Sequence, residues 1–210
     1  MSRKLVEESQ HRTSPANKIS FEEFLAWCDE DTWAEWVNGE VIMVSPASTR
    51  HQEVMAFLLH VLDLFVQSRE LGVVLSAPFL MQLPELDRAR EPDLLFVRRE
   101  RANLIAKTHL TGPADLVVEI VPPESIGRDR GEKFVEYEKA GIPEYWLIDP
   151  DRQQAEFNLL DESGRYGLGS VDEKGIFRSK VVPGFWVRPD WLWKSPLPPA
   201  LTVLRELKVI

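Results

Sequence analysis

Apolar and polar residues recur along this chain with periods that predict both helices and strands. The clearest helical pattern runs from His51 to about Leu71, where Val54, Leu58 and Phe65 fall on one face of a helix. Gly72 follows directly and is a typical helix stop. This stretch therefore predicts one long amphipathic helix.

Three shorter helices are also predicted. Ser20 followed by Glu23 resembles a capping box and opens a helix over Phe21–Cys28. Further helical segments are expected at 99–107 and at 128–140, the latter ending before a glycine.

Short apolar or alternating runs bounded by turn residues predict the strands. Asn38-Gly39 is a strong signal for a hairpin turn between two strands. Further strands are predicted at 73–83, 92–98, 115–121 and 144–148, and an antiparallel meander at 154–160, 164–170 and 175–183. This order predicts an α/β or α+β fold, with a mixed sheet core flanked by helices and an added antiparallel C-terminal meander.

The length of 210 residues suits a single domain with one good core. Residues 1–18 are polar without periodicity and predict a flexible tail; residues 19–195 are expected to form the domain, and 196–210 a C-terminal extension. No apolar run approaches the roughly 20 residues that span a bilayer, and the first residues lack the apolar core of a signal peptide. A cytoplasmic protein without membrane contact is therefore expected.

The net charge of −9 argues against a protein that coats nucleic acid through a broad positive field. Basic residues nevertheless cluster in two places, between Arg88 and Lys107 and again at Arg128, Arg130 and Lys133. These clusters are either localised contacts to phosphate groups or ordinary solvated faces.

Two carboxylates lie in strand-like apolar surroundings. In the strand over 115–121, Glu119 shares its face with Val117 and Val121, and Asp93 follows a proline at the start of another apolar run. A buried ionised carboxylate costs several kcal/mol, so such acids usually hold a cation or take part in chemistry. If the two strands are adjacent, the acids converge, and hard oxygen ligands favour Mg²⁺ or Mn²⁺.

The helix over 128–140 carries a lysine close to these acids in sequence. Asp129, Lys133 and Tyr137 fall at i, i+4 and i+8 and line one face. If this face looks toward Glu119, Lys133 supplies a positive charge beside a metal, which is the arrangement that phosphoryl transfer requires.

Several motifs in a fixed order carry a resemblance to a known family. The chain has a hairpin reading Asn-Gly-Glu with an acid on its first arm, then Pro-Asp before an apolar run, then an apolar strand ending in an acid, then D-x3-K-x3-Y and EYWLIDP. This set resembles the PD-(D/E)XK nuclease superfamily and, more narrowly, a large bacterial family of uncharacterised restriction-endonuclease-like proteins. The similarity spans roughly Phe21 to Pro189.

The resemblance implies a restriction-endonuclease-like fold and a Mg²⁺- or Mn²⁺-dependent endonuclease that hydrolyses DNA phosphodiester bonds. By the same resemblance, Asp93 and Glu119 are the principal metal ligands, and Glu35 completes the site or binds a second ion. Lys133 takes the place of the superfamily's strand lysine, whose position is Val121 here.

Other roles also follow from this assignment. His51 matches a histidine often seen in the family and would support the site, as would Asp129 and Tyr137. The expected phosphate-backbone contacts are Arg98, Arg99, Arg128 and Arg130. Cutting both strands of a duplex would be simplest for a homodimer.

The same residues also allow structural roles without catalysis. Asp93 could satisfy a turn, Glu119 could form a structural ion pair, and Glu35 and Lys133 could simply face solvent. The absent strand lysine at Val121 also allows a nuclease-like fold that acts as a nucleic-acid- or protein-binding module. A hydrolase of another phosphoester is a third reading.

Overall fold

The structure, a computed structural model, describes residues 14–29, 32–121 and 129–210, and the side chains of Asp129 and Arg130 fall outside this description. In chain order, the α-helices of these ranges are α1 (Phe21–Trp27), α2 (Thr49–Ser68), α3 (Phe134–Lys139) and α4 (Ala200–Glu206). The capping box of α1 is confirmed, since Ser20 and Glu23 exchange hydrogen bonds between side chain and backbone. None of the described helices has the length and apolar composition that crossing a membrane requires.

The strands include most of those predicted and three short ones that were not, at 88–90, 109–111 and 186–187. They are β1 (Ala34–Val37), β2 (Glu40–Met43), β3 (Gly72–Ser76), β4 (Leu80–Leu83), β5 (Arg88–Arg90), β6 (Leu94–Arg98), β7 (His109–Thr111), β8 (Leu116–Ile120), β9 (Glu144–Asp149), β10 (Gln154–Leu160), β11 (Tyr166–Leu168), β12 (Phe177–Arg178) and β13 (Trp186–Val187). Residues Arg99–Leu104 form a 3-10 helix where a short helix was predicted.

Within the described ranges, the strands form three sheets. The main sheet has the order β11-β10-β9-β8-β6-β3, the second sheet has the order β2-β1-β5-β4-β7, and β12 pairs with β13. In the main sheet β8 and β9 are parallel, while the other neighbours are antiparallel. The mixed sheet flanked by helices confirms the predicted fold class.

The prediction of a single strand over 73–83 is wrong. Its first half, β3, pairs with β6 in the main sheet, whereas its second half, β4, pairs with β5 and β7 in the second sheet. The change occurs around Pro78, which has no N–H to donate to a ladder and so interrupts pairing. The apolar run therefore serves two sheets.

The predicted meander is confirmed only in its first hairpin. Strands β10 and β11 pair as expected, but β12 pairs with β13 and forms a separate ribbon. Phe177 of β12 stacks on Phe157 of β10 with ring centroids 3.8 Å apart, so it packs against the face of the main sheet. Burial of this stacked aromatic pair holds the β12–β13 ribbon against the main sheet.

Side chains alternate between the two faces of the main sheet, as the strand period predicts. On β8, Leu116, Val118 and Ile120 pack against α2, while Val117 and Val121 pack toward the second sheet. The other face of the second sheet is covered by α1. Glu119 shares a face with Val117 and Val121 and therefore belongs to the layer between the two sheets.

The C-terminal residues are part of the packed structure. Helix α4 contacts α2, and its Val203 lies in the same apolar cluster as the α2 face, together with Leu207. The predicted boundary at residue 196 stays a prediction, but this segment contributes directly to the core.

Candidate active site

Asp93 and Glu119 lie opposite one another at the end of two paired strands. The antiparallel register of β6 and β8 places Leu94 opposite Val118, so the next position along brings Asp93 opposite Glu119. The backbone N–H of Ile120 donates to Asp93 Oδ2 at 2.6 Å. Both carboxylates line one cleft of about 850 Å³, which confirms the predicted adjacency of the strands.

His51 contacts Asp93 from the first turn of α2. Its Nε2 lies 3.0 Å from Asp93 Oδ1. Burial lowers the pKa of His51, but the hydrogen bond and the negative charge of Asp93 outweigh burial, so the pKa lies above its usual value. The imidazole of His51 therefore fixes the orientation of the Asp93 carboxylate.

Lys133 and Tyr137 both contact Glu119. Lys133 Nζ lies 2.9 Å from Glu119 Oε1, and the Tyr137 hydroxyl donates to the same oxygen at 2.7 Å. Burial and the charge of Glu119 raise the pKa of Tyr137 well above its ordinary value, so the hydroxyl keeps its proton and acts as a donor. Lys133 and Tyr137 thus both face Glu119, as predicted.

The local backbone explains how Lys133 arrives there. Residues Asp129–Lys133 form a π-helical turn that continues into α3. Such turns are rare and often occur at functional sites. Since the predicted alignment of Asp129 with Lys133 assumed α-helical spacing, it does not carry over, and the Asp129 side chain lies outside the described residues.

Glu35 is held by two cations. Its Oε1 lies 3.2 Å from Lys133 Nζ, and its Oε2 accepts from Arg90 at 2.8 Å. Burial raises the pKa of Glu35, but the charges of Lys133 and Arg90 more than offset burial and lower the pKa to about 2. Its role as a metal ligand stays a prediction; the contacts show a carboxylate that is paired with two cations and holds the ammonium of Lys133 in place.

Arg90 is a site residue that the sequence pattern did not single out. It is fully buried and also pairs with Glu136 of α3, at 2.8 Å from Nε to Oε2. Arg88 contacts the same carboxylate at 2.7 Å. The sequence signal for this role was that Arg88 and Arg90 are two residues apart and so share one face of a strand. Both were instead assigned to a basic cluster expected at the surface.

Glu91 was missed for a similar reason. It precedes the Pro-Asp motif and lines the same cleft as Asp93 and Glu119. Burial, with the added charge of Glu35 and Asp93, raises the pKa of Glu91 to about 7. In the sequence Glu91 is one acid among many, and only the structure shows that it lines the cleft.

The structure does not bring Arg98 and Arg99 to the cleft. Arg98 ends β6 and its guanidinium lies 3.6 Å from Asp115, while Arg99 pairs with Glu70 at the surface. A strand rises about 3.3 Å per residue, so Arg98 lies roughly 16 Å from Asp93, at the opposite end of the strand. Of the other predicted phosphate contacts, Arg128 and the Arg130 side chain lie outside the described residues.

The donor chemistry of Asp93 and Glu119 fits a hard divalent cation. Across residues 14–29, 32–121 and 129–210, no group of three or more His, Cys, Asp or Glu side chains is arranged to hold a metal. Mg²⁺, however, is commonly bound through one or two carboxylates, with waters and substrate phosphates completing its shell. Two facing carboxylates at a cleft meet that requirement.

The chain is similar to known proteins in both sequence and fold. The profile of a family named Uma2, described as "Putative restriction endonuclease", matches residues 21–192. A crystal structure described as a putative nuclease belonging to DUF820, from Anabaena variabilis ATCC 29413, aligns with a TM-score of 0.69 and 16% identity over 83% of this chain and 97% of that chain. A search of the curated proteins gave no match. At this identity, the structural likeness shows a shared fold.

Proposed function

The chain belongs to the Uma2 family, and on that premise we propose that it is a Mg²⁺- or Mn²⁺-dependent endonuclease that hydrolyses phosphodiester bonds in DNA. One observation carries this proposal: Lys133 Nζ lies 2.9 Å from Glu119, which faces Asp93 at the wall of a cleft. Two acids and a lysine in this order are the parts that the resemblance requires.

Asp93 and Glu119 are the residues that would hold the cation. When bound, a divalent cation lowers the pKa of a water and offsets negative charge on the phosphoryl group. His51 keeps Asp93 in place from one side, and the Ile120 N–H does so from the other. Both carboxylates are therefore oriented before substrate arrives, so little reorganisation is required.

Lys133 supplies a fixed positive charge beside the acids. Glu35 and Glu119 hold its ammonium at 3.2 Å and 2.9 Å, so its position does not depend on the substrate. In the proposed reaction Lys133 stabilises charge on the non-bridging oxygens of the scissile phosphate. Glu35 acts through Lys133 and is a positioning residue.

The test is cleavage of DNA with Mg²⁺ or Mn²⁺ by the protein and by the variants Asp93→Asn and Glu119→Gln. Both variants keep the size of the side chain and remove its charge, and each should lower kcat by at least about 100-fold, as expected for loss of electrostatic stabilisation at a reacting centre. Circular dichroism and urea midpoints confirm that the variants fold.

A matched control is Asp115→Asn. Asp115 is buried at the other end of β8 and pairs with Arg101 at 3.0 Å, well away from the cleft. Cleavage by this variant should equal that of the wild type. Undiminished cleavage by both Asp93→Asn and Glu119→Gln would contradict the proposal, and DNA binding without any cleavage by the wild type would favour a binding module instead.

A further inference from the structure

The cleft that holds the carboxylates has a second, apolar wall. Its apolar lining includes Trp33, Met43, Val44, Pro46, Met55 and Pro78. Trp33 is 38% exposed and Met43 is 43% exposed, which makes them two of the large hydrophobic side chains that this fold leaves open to solvent. Exposed aromatic surface beside a polar site is characteristic of ligand recognition.

The backbone fixes Trp33 beside the acids. Its carbonyl accepts from the Val44 N–H at 2.9 Å, which extends the β1–β2 hairpin by one pair. Trp33 precedes Glu35 by two residues, so both side chains share one face and both line the cleft. At about 3.3 Å per residue, the indole is roughly 7 Å along the strand from the carboxylate that holds Lys133.

The excess of acidic side chains in the cleft favours a ligand with one phosphate backbone over a duplex, which has two. Among its described lining residues, Glu35, Glu91, Asp93 and Glu119 are acidic, whereas the basic side chains are Lys133 and His51, each in contact with a carboxylate. Duplex DNA carries one negative charge per about 1.7 Å along its axis, counting both strands. A single strand places one phosphate near Lys133 and presents neutral bases to the other wall.

We propose that the apolar wall is a stacking subsite in which Trp33 packs against an unpaired nucleobase, and that the substrate of this cleft is single-stranded DNA. The inference rests on the proposed nuclease function and specifies its substrate. Aromatic side chains bind bases of any sequence by their faces, so the subsite selects for strandedness and tolerates different sequences.

Binding provides a test that does not depend on activity. Fluorescence anisotropy in Ca²⁺ measures the affinity for a dye-labelled strand of about 15 nucleotides and for the same strand in a duplex, with gels to confirm that the DNA stays intact. The wild type should bind the single strand more tightly. Trp33→Ala should weaken single-strand binding by about tenfold or more, while Trp33→Phe, which keeps an aromatic face, should stay within about threefold of the wild type.

Leu168→Ala is the matched control for loss of exposed apolar surface. Leu168 is 71% exposed on β11 and does not line this cleft. The affinity of the Leu168→Ala variant for the single strand should equal that of the wild type. Unchanged binding by Trp33→Ala, or equal affinity of the wild type for duplex and single strand, would overturn the subsite.

Cleavage assays separate this inference from the activity on which it rests. With Mn²⁺, Trp33→Ala should raise KM for single-stranded DNA and leave kcat unchanged, since stacking contributes equally to the ground state and the transition state. A wild type that cleaves, together with an unchanged Trp33→Ala, would overturn the subsite and leave the nuclease function standing. If single-strand binding depends on Trp33 but the wild type cleaves DNA with neither Mg²⁺ nor Mn²⁺, the subsite would be supported and the nuclease function rejected.

Discussion

At the scale of single residues, the central feature is the buried ammonium of Lys133 between two carboxylates. Its Nζ lies 2.9 Å from Glu119 and 3.2 Å from Glu35, and all three side chains are nearly inaccessible to solvent. These contacts stabilise the buried charges, since desolvation of an unpaired ion costs several kcal/mol. A contact that serves the proposed chemistry thus also holds the two sheets together.

Removing Lys133 should therefore cost stability as well as activity. Lys133→Met leaves Glu35 and Glu119 facing each other without their shared cation, and we expect the free energy of unfolding to fall by about 3–5 kcal/mol. Urea denaturation followed by circular dichroism measures this change. Lys139→Met, an exposed lysine on the same helix, is the control and should shift the unfolding free energy by less than about 0.5 kcal/mol. Equal midpoints for the two variants would show that the buried ammonium is not structurally required.

At the scale of elements, ion pairs attach α3 to the second sheet. Glu136 of α3 lies 2.7 Å from Arg88 and 2.8 Å from Arg90, both on β5. Since Arg90 also binds Glu35, the helix that carries Lys133 is connected through β5 to the strand that carries Glu35. Side-chain charges thus position α3 against β5, whereas β1 and β5 are also joined by backbone pairing.

This attachment should depend on pH. Burial raises the pKa of Glu136, but the hydrogen bonds and charges of Arg90 and Arg88 outweigh burial and bring the pKa below its usual value of 4.5. The folded pKa is lower than the unfolded one, so the stabilisation is complete above pH 4.5 and is lost as the pH falls through the folded value. Near neutral pH, Glu136→Gln should lower the free energy of unfolding by about 2 kcal/mol, and the difference from wild type should shrink below pH 4.5.

Urea denaturation at a series of pH values checks this expectation. Glu132→Gln is the control, because that carboxylate is 67% exposed and 3.7 Å from Arg90, and exposed pairs contribute little. A constant difference between Glu136→Gln and wild type across the acid range would contradict the proposed linkage.

At the scale of the whole molecule, the C-terminal segment completes the core. Leu207 follows α4 and is 3% exposed, in the cluster that contains the α2 face and one face of the main sheet. Because α2 carries His51 in its first turn, packing at the C-terminus supports the helix that orients Asp93.

Leu207→Ala should accordingly destabilise the entire fold. Truncation of a buried leucine costs about 2–5 kcal/mol, and we expect one cooperative transition at lower urea concentration. Leu201→Ala is a suitable comparison, since Leu201 lies on the preceding helix α4 and is 59% exposed. If residues 196–210 were an independent extension, the two variants would unfold at the same midpoint as the wild type.

The substrate inference also bears on the molecule as a whole. A homodimer was expected because cutting both strands of a duplex is simplest with paired sites. Cleavage of a single strand needs one site per cut, so the proposed substrate does not require a dimer.

Periodicity, turn residues and ordered motifs were enough to predict the helical segments, the central strands of the main sheet, the family, and the shared face of Glu119 with its neighbouring valines. These properties are local: the apolar period and the turn residues act over a few positions, and a motif is read in chain order. Pairing is different, because register joins segments far apart in the chain. Only the tertiary structure brought Lys133 to Glu119, buried Arg90 between Glu35 and α3, and separated Arg98 from the cleft. Burial and contact distance govern the strength of charged interactions. Three basic residues that are similar in the sequence therefore differ in the structure: Arg90 is a buried counterion, Lys133 is a positioned ammonium, and Arg98 is a surface group remote from the cleft.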